Sequence, residues 1–98
     1  MELEKKLAGS SLYVKPKGRI DINTAVDFGT SITDDLDDIK ELILDFAEVV
    51  YISSMGLRVL LEIQKQMNTQ GSMVIINANN DLKSIFEMTG FTNIVRIE

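Results

Sequence analysis

The chain of 98 residues contains no cysteine, no histidine and no tryptophan. Without cysteine there are no disulfides and no thiol nucleophiles, and without cysteine and histidine almost every protein zinc site is excluded. Histidine is also the side chain that most often serves as a general base near neutral pH. We therefore expect no catalytic residue, no bound metal and no cofactor.

Long hydrophobic runs and an excess of positive charge are also missing. No run approaches the ~20 apolar residues of a membrane-spanning helix, and Met1–Lys6 lacks the apolar region of a signal peptide. Fifteen acidic against ten basic residues give a net charge of −5, which disfavours nucleic-acid binding. The acidic run Asp34–Asp38 lacks EF-hand spacing and is interpreted as a solvated turn. We expect a cytoplasmic protein with no membrane span.

What is present is a pattern of strands alternating with helices. The length predicts one domain over residues 1–98, which can bury a sufficient core as a monomer. The predicted order is β-β-α-β-α-β-α-β, an α/β fold whose mixed sheet begins with a hairpin and packs against the helices. The segments are a hairpin within residues 1–20, a helix capped by Asn23, a strand over 41–46, a helix over 54–70, a strand over 73–76, a helix capped by Asn80 or Asp81, and a strand over 94–97.

Proline and glycine positions add local predictions. Pro16 cannot donate to a sheet ladder, so it favours an edge strand or a bulge. Gly71 predicts the end of the long helix. Gly90 predicts that the last helix ends at a residue in the left-handed conformation, with Phe91 packed against the last helical turn. The inward face of the first helix is predicted to carry Val26, either Phe28 or Gly29, and Ile32.

The start of the long helix carries the strongest chemical signal. Ser53 and Ser54 stand at a helix N-terminus, where unpaired N–H groups and a partial positive charge can hold a phosphate. A serine there is also a common phosphorylation target. The simpler interpretation is an N-cap serine, with Gly56 as a packing contact.

The surrounding segment resembles the signature of the STAS domain family of bacterial partner-switching regulators, the anti-sigma factor antagonists. The matching positions are Asp45, Val49, Ile52, Ser54, Gly56 and Leu57. Two further blocks are similar to family motifs, Gly18–Asp21 followed by Thr24 and Ala25, and Leu82–Phe91. The resemblance covers nearly the whole chain in the right order, and it implies a single STAS-like domain.

The resemblance also implies a function. An anti-sigma factor that is a serine protein kinase would be the partner and would phosphorylate Ser54. The unmodified chain would bind this partner and free the sigma factor, and the phosphorylated chain would release it. The chain has Ser53 where the family has aspartate, and Met55 where it usually has serine or threonine. Ser53 is the alternative acceptor.

The residues expected at the partner interface come from the loop before the first helix and from the start of the long helix. Asp21 either contacts the partner or its bound nucleotide, or stabilises its own loop. Arg58 either pairs with Glu62 on the exposed face or anchors the partner. The full predicted set is Asp21, Asn23, Ser53, Ser54, Met55, Gly56 and Arg58.

Two other functions remain open. The chain could be a STAS subunit of a different assembly, such as a lipid-transport ATPase complex or a signalling scaffold. It could also be a hydrolase that uses Ser54 as nucleophile. Without histidine the base would have to be Lys65 or Lys83, and no motif supports that arrangement.

Overall fold

A six-stranded mixed sheet carries three α-helices in a computed structural model that describes residues Met1–Glu98. The strands are β1 Glu2–Ala8, β2 Ser11–Ile20, β3 Glu41–Asp45, β4 Glu48–Ile52, β5 Ser72–Ile76 and β6 Arg96–Ile97. The helices are α1 Ala25–Thr33, α2 Ser54–Asn68 and α3 Asn80–Met88, and a 3₁₀ turn Phe91–Asn93 precedes β6. The strand order is β1-β2-β3-β5-β6, with β4 added to β2, and only the β1–β2 hairpin is antiparallel. The predicted mixed sheet with an initial hairpin is confirmed.

Strand β2 pairs with two successive strands along the same edge. Its first half pairs with β3 and its second half with β4, and both pairings are parallel. The predicted element order contains only one strand here, because the prediction ends that strand at residue 46 and assigns no element to residues 47–52, which contain β4. The prediction of an edge or bulge at Pro16 was wrong. Pro16 lies where β2 passes the gap between β3 and β4, so its missing N–H interrupts no pairing with them.

The core lies between the sheet and the apolar faces of the helices. One cluster of 24 buried apolar residues draws on all three helices and on strands β2, β3, β4 and β5. In α1 the inward residues are Ala25, Phe28 and Ile32, whereas Val26, predicted inward, is 67% exposed. None of the helices combines the length and the apolar character that crossing a bilayer requires.

The helix ends differ from the sequence predictions in detail. Asn23 does not cap α1, because Thr24 occupies that position. Asn79, rather than Asn80 or Asp81, caps α3 by accepting a hydrogen bond from the Leu82 N–H at 2.9 Å. Gly90 adopts the predicted left-handed conformation, with φ of 77°.

The last strand is shorter than predicted. The chain from Phe91 turns through a 3₁₀ helix, which the Ile94 N–H closes by donating to the Phe91 carbonyl at 2.9 Å. Only Arg96 and Ile97 therefore remain for pairing with β5.

Candidate functional site

The start of α2 lies at the carboxyl ends of β2 and β4. These strands are parallel and end side by side, with Ile20 next to Ile52. The Ser53 N–H donates to the Ile20 carbonyl at 2.8 Å and ties the first residue after β4 to the end of β2. The loop that follows β2 and the first turn of α2 are thus brought to one edge of the sheet.

The two serines at this edge have different environments. Ser53 is the N-cap of α2, and its Oγ accepts a hydrogen bond from the Gly56 N–H at 3.2 Å. It is half-buried, as expected for a capping side chain. Ser54 is the first helical residue and is exposed, and its hydroxyl takes part in no hydrogen bond within the chain. Only Ser54 presents a free hydroxyl to solvent.

A surface pocket of about 240 Å³ opens at the same place. Four predicted site residues line it: Ser53, Ser54, Met55 and Arg58. The fifth lining residue, Ile22, was not predicted from the sequence. It is 73% exposed, and an isoleucine inside a polar loop was the signal that could have identified it.

Gly56 lies beneath the pocket, among the strands. A Cβ on this residue would come within 2.7 Å of Ile52 Cγ1 and 2.9 Å of Ile20 Cγ2. It would also lie 3.1 Å from the Ile20 carbonyl oxygen. The helix can therefore reach this depth only because position 56 has no side chain.

Asp21 organises the loop after β2. Its Oδ1 accepts the Asn23 N–H at 2.9 Å, and its backbone carbonyl accepts the Thr24 N–H at 3.1 Å. The Thr24 hydroxyl in turn accepts the Asp21 N–H and donates to the Arg19 carbonyl, at 2.9 and 2.7 Å. The Asn23 N–H, assisted by Thr24 and Arg19, holds the pKa of the Asp21 carboxyl below its usual value. Asp21 therefore stabilises its own loop, and its contact with a partner stays a prediction, as does that of Asn23, whose side chain is exposed.

The two arginines at this edge differ in their partners. Arg19 lies over the Tyr51 ring at 4.3 Å from its centroid, and its Nε is 3.5 Å from Asp21. Arg58 is exposed and makes no ion pair. The predicted pairing with Glu62 is absent, because Glu62 pairs with Lys65 at 3.7 Å. An arginine placed four residues before a glutamate is the less favourable order of such a pair on a helix.

A second polar group surrounds Asp45 at the end of β3. This carboxylate is only 6% exposed. It accepts hydrogen bonds from the Tyr13 hydroxyl, from the Asn77 side-chain amide at 3.1 Å and from the Ala47 N–H at 3.0 Å. Asp45 therefore holds together the turn that separates β3 from β4.

Opposing effects set the pKa of Asp45. Burial raises it, but the Tyr13 hydroxyl, the Asn77 amide and the Ala47 N–H together bring it below the ordinary value. The same hydrogen bond, together with burial, raises the pKa of Tyr13 to about 12. Because the folded-state pKa of Asp45 is lowered, its contribution to stability is present above the unfolded pKa and is lost as the pH falls through the folded value.

Asp45→Ala is expected to lower the free energy of unfolding at pH 7 by about 3 kcal/mol, because it leaves three donors without an acceptor. The difference from the parent protein should shrink as the pH is lowered from 5 toward 2. Urea unfolding across that range measures both effects. Asp37→Ala, at an exposed carboxylate, is the control and should change stability by less than about 0.5 kcal/mol. A pH-independent difference for Asp45→Ala would contradict this account.

The side chains at this edge do not form a set of metal ligands. The chain has no group of three or more Asp, Glu, His or Cys side chains that could hold a metal ion. What the edge presents is a free hydroxyl, two apolar side chains and an unpaired guanidinium around one pocket.

Comparison with known proteins places this arrangement in context. The family model of the STAS domain matches residues 2–98. BtrV of Bordetella bronchiseptica, named as a candidate anti-sigma factor antagonist, is 38% identical over 56 residues, which are 56% of this chain and 48% of BtrV. The match thus spans about half of this curated relative.

Two solved structures share the fold. The crystal structure of TM1081 from Thermotoga maritima, a candidate anti-sigma factor antagonist, has a TM-score of 0.90 at 20% identity and covers 97% of this chain and 84% of its own. The Bacillus cell fate determinant SpoIIAA in its phosphorylated form has a TM-score of 0.76 at 12% identity, with coverage of 99% and 91%.

Proposed function

The chain belongs to the STAS domain family, and we propose that it is an anti-sigma factor antagonist. It binds an anti-sigma factor that is a serine protein kinase, and in doing so releases the sigma factor for transcription. Phosphorylation of Ser54 by the same kinase ends this binding. The names of BtrV and TM1081, and the description of SpoIIAA in a phosphorylated form, support the proposal.

The observation that carries the proposal is the environment of Ser54. Its hydroxyl is exposed, free of hydrogen bonds and placed at the mouth of a pocket. A kinase needs such access to an acceptor, whereas the Ser53 hydroxyl is engaged in capping α2. Ser54 is therefore favoured over Ser53 as the acceptor, although Ser53 and Met55 depart from the family pattern.

The pocket also suggests how phosphate would act on binding. The exposed Ile22 and the half-buried Met55 offer apolar surface to a partner, and Arg58 offers a charged anchor. A phosphate on Ser54 adds a charge of about −1.5 to −2 in the middle of this surface. Burying that charge against a partner without a matching cation is unfavourable, so the phosphorylated chain dissociates.

In this proposal the chain is a binding module that is phosphorylated by another protein and catalyses no reaction itself. The Ser54 hydroxyl has no hydrogen-bonded base, and a serine nucleophile requires one. We further propose that residues 1–98 act as one domain and as a monomer. The site of action would be the bacterial cytoplasm, where sigma factors meet RNA polymerase.

Incubation with the cognate kinase and ATP is expected to add one phosphate to the protein, and none to Ser54→Ala, because that variant lacks the free hydroxyl. Intact-mass spectrometry measures both. Ser53→Ala is the matched control, which should still be phosphorylated while losing about 1 kcal/mol of stability with the helix cap. Phosphorylation of Ser54→Ala, or none in the parent protein, would contradict the proposed acceptor.

A capture experiment identifies the partner. The unmodified protein is immobilised, incubated with lysate of its own organism, and the bound proteins are identified by mass spectrometry. Recovery of an anti-sigma factor kinase supports the proposal. Recovery of a transport ATPase or a scaffold instead supports the second candidate, a STAS subunit of another assembly.

A further inference from the structure

Arg58 lies one helical turn after Ser54 and lines the same pocket. We propose that Arg58 receives the phosphate of phosphorylated Ser54 in an ion pair within the chain, an inference that rests on the proposed modification of Ser54. Phosphorylation then removes a cation from the partner-binding surface at the same time as it adds an anion.

The spacing of the two residues supports this pairing. Residues four apart on a helix are neighbours on one face, with Cβ atoms roughly 5–6 Å apart. Both residues contribute to the wall of one pocket of about 240 Å³. Several water molecules, each with a share of about 30 Å³ in liquid water, would fit in that space, so a phosphate group can enter it without displacing the helix.

The neighbouring charges leave Arg58 available for the phosphate. Arg58 makes no ion pair, since Glu62 is taken by Lys65. The remaining lining residues are Ile22, Ser53 and Met55, so no carboxylate in the pocket competes for the guanidinium. The other arginine at this edge, Arg19, is already engaged by Asp21 and the Tyr51 ring.

The chemistry of the two groups is well matched. The guanidinium is a planar fork of N–H donors that can bind two phosphate oxygens at once, and it stays charged at every pH of interest. Before phosphorylation, Arg58 is free to contact an acidic group of the partner. After phosphorylation the same N–H donors are turned to the phosphate. The partner then meets a surface that has lost its unpaired cation and carries a partly neutralised phosphate.

The experiment installs phosphoserine at position 54 by genetic encoding, so no kinase is needed. Phosphorus NMR follows the second pKa of the phosphate, near 6 when unperturbed, in the parent sequence and in Arg58→Gln, Arg58→Lys and Lys40→Gln. Arg58 stabilises the dianion, so the pKa should rise by about half a pH unit in Arg58→Gln at low salt. Lys40→Gln removes the same charge from an exposed lysine that makes no ion pair and lies just before β3, at the other end of the sheet, and its phosphate should titrate like that of the parent.

The other carboxylate at this edge does not change its charge while the phosphate is titrated. The pKa of the Asp21 carboxyl is lowered, so this group stays ionised across the range used. Arg58→Lys keeps the charge but loses the fork, and an intermediate pKa is expected. Equal pKa values in the parent and Arg58→Gln would overturn the proposal, as would an equal rise of the phosphate pKa in Arg58→Gln and Lys40→Gln.

A second measurement does not depend on replacing Arg58. The side-chain Nε–H signal of Arg58 should shift between the serine and phosphoserine forms, and its unchanged position would also overturn the proposal. The kinase plays no part in either measurement, so failure of the ion pair and failure of the proposed modification are separate results.

Discussion

Gly71→Ala is expected to destabilise the protein by about 3 kcal/mol or more, although only one methyl group is added. A Cβ at this position would lie 1.9 Å from the Lys40 carbonyl oxygen and 2.6 Å from its carbonyl carbon. These are backbone atoms, so no side-chain rotation can relieve the overlap. The Ser72 N–H donates to the same carbonyl at 2.9 Å, which fixes the start of β5 beside β3. The substitution therefore forces apart the pairing of two central strands.

Urea unfolding compares this variant with Gly9→Ala. Gly9 has φ of 61° but open space around its Cβ position, so alanine there should cost roughly 1 kcal/mol for the left-handed conformation alone. Gly71 has no positive φ. Equal losses in the two variants would contradict the backbone collision at Gly71.

Gly56→Val is expected to cost about 3 kcal/mol and to abolish partner binding. A Cβ alone at this position already overlaps Ile52 and Ile20, and a branched side chain requires still more room. The first turn of α2 must then move away from the sheet and carry Ser54 and Arg58 with it. Both the fold and the pocket are affected by one change.

Glu62→Val is the matched control, because it places the same branched side chain on the exposed face of the same helix. Its cost should stay below about 1 kcal/mol, mainly from helix propensity. Stability is measured by urea unfolding, and affinity is measured with the captured partner. Gly56→Val matching Glu62→Val in both properties would refute the packing role of Gly56.

The elements that the sequence predicts well are those with a long and regular pattern. Helix α2 repeats its apolar residues over four turns, and Gly56, Leu60, Ile63 and Met67 are buried on its inward face. The turn between β3 and β4 has no such pattern, and the five residues of β4 that follow it were not predicted as a strand. It depends on hydrogen bonds to Asp45 from Tyr13 and Asn77, which are both 32 residues away.

The structural role of a glycine is also only partly predictable from the sequence. The pattern predicts Gly71 as the residue that ends α2, yet the helix is capped at Thr69 and Gly71 is needed for close approach to Lys40. A sequence shows that a side chain is absent, but not which distant backbone occupies the space.

Much of the candidate site was predictable because most of its residues are close together in the sequence. Ser53, Ser54, Met55 and Arg58 belong to one helix start, and their grouping around one pocket follows from helical geometry. Ile22 joins them only through the parallel pairing of β2 with β4, a tertiary contact. The proposed function comes from the family resemblance, since the same serines alone are also typical of an ordinary helix cap.

The most direct test of the proposed switch is the affinity of the captured anti-sigma factor for the chain with serine and with phosphoserine at position 54. Isothermal titration calorimetry should show tight binding to the unmodified protein. For the phosphorylated protein the affinity should fall at least about thirtyfold, because the partner loses its contact with Arg58 and meets an only partly neutralised phosphate, and the loss of one member of a buried charge pair costs roughly 2–5 kcal/mol. Equal affinities for the two forms would contradict control of binding by phosphorylation of Ser54.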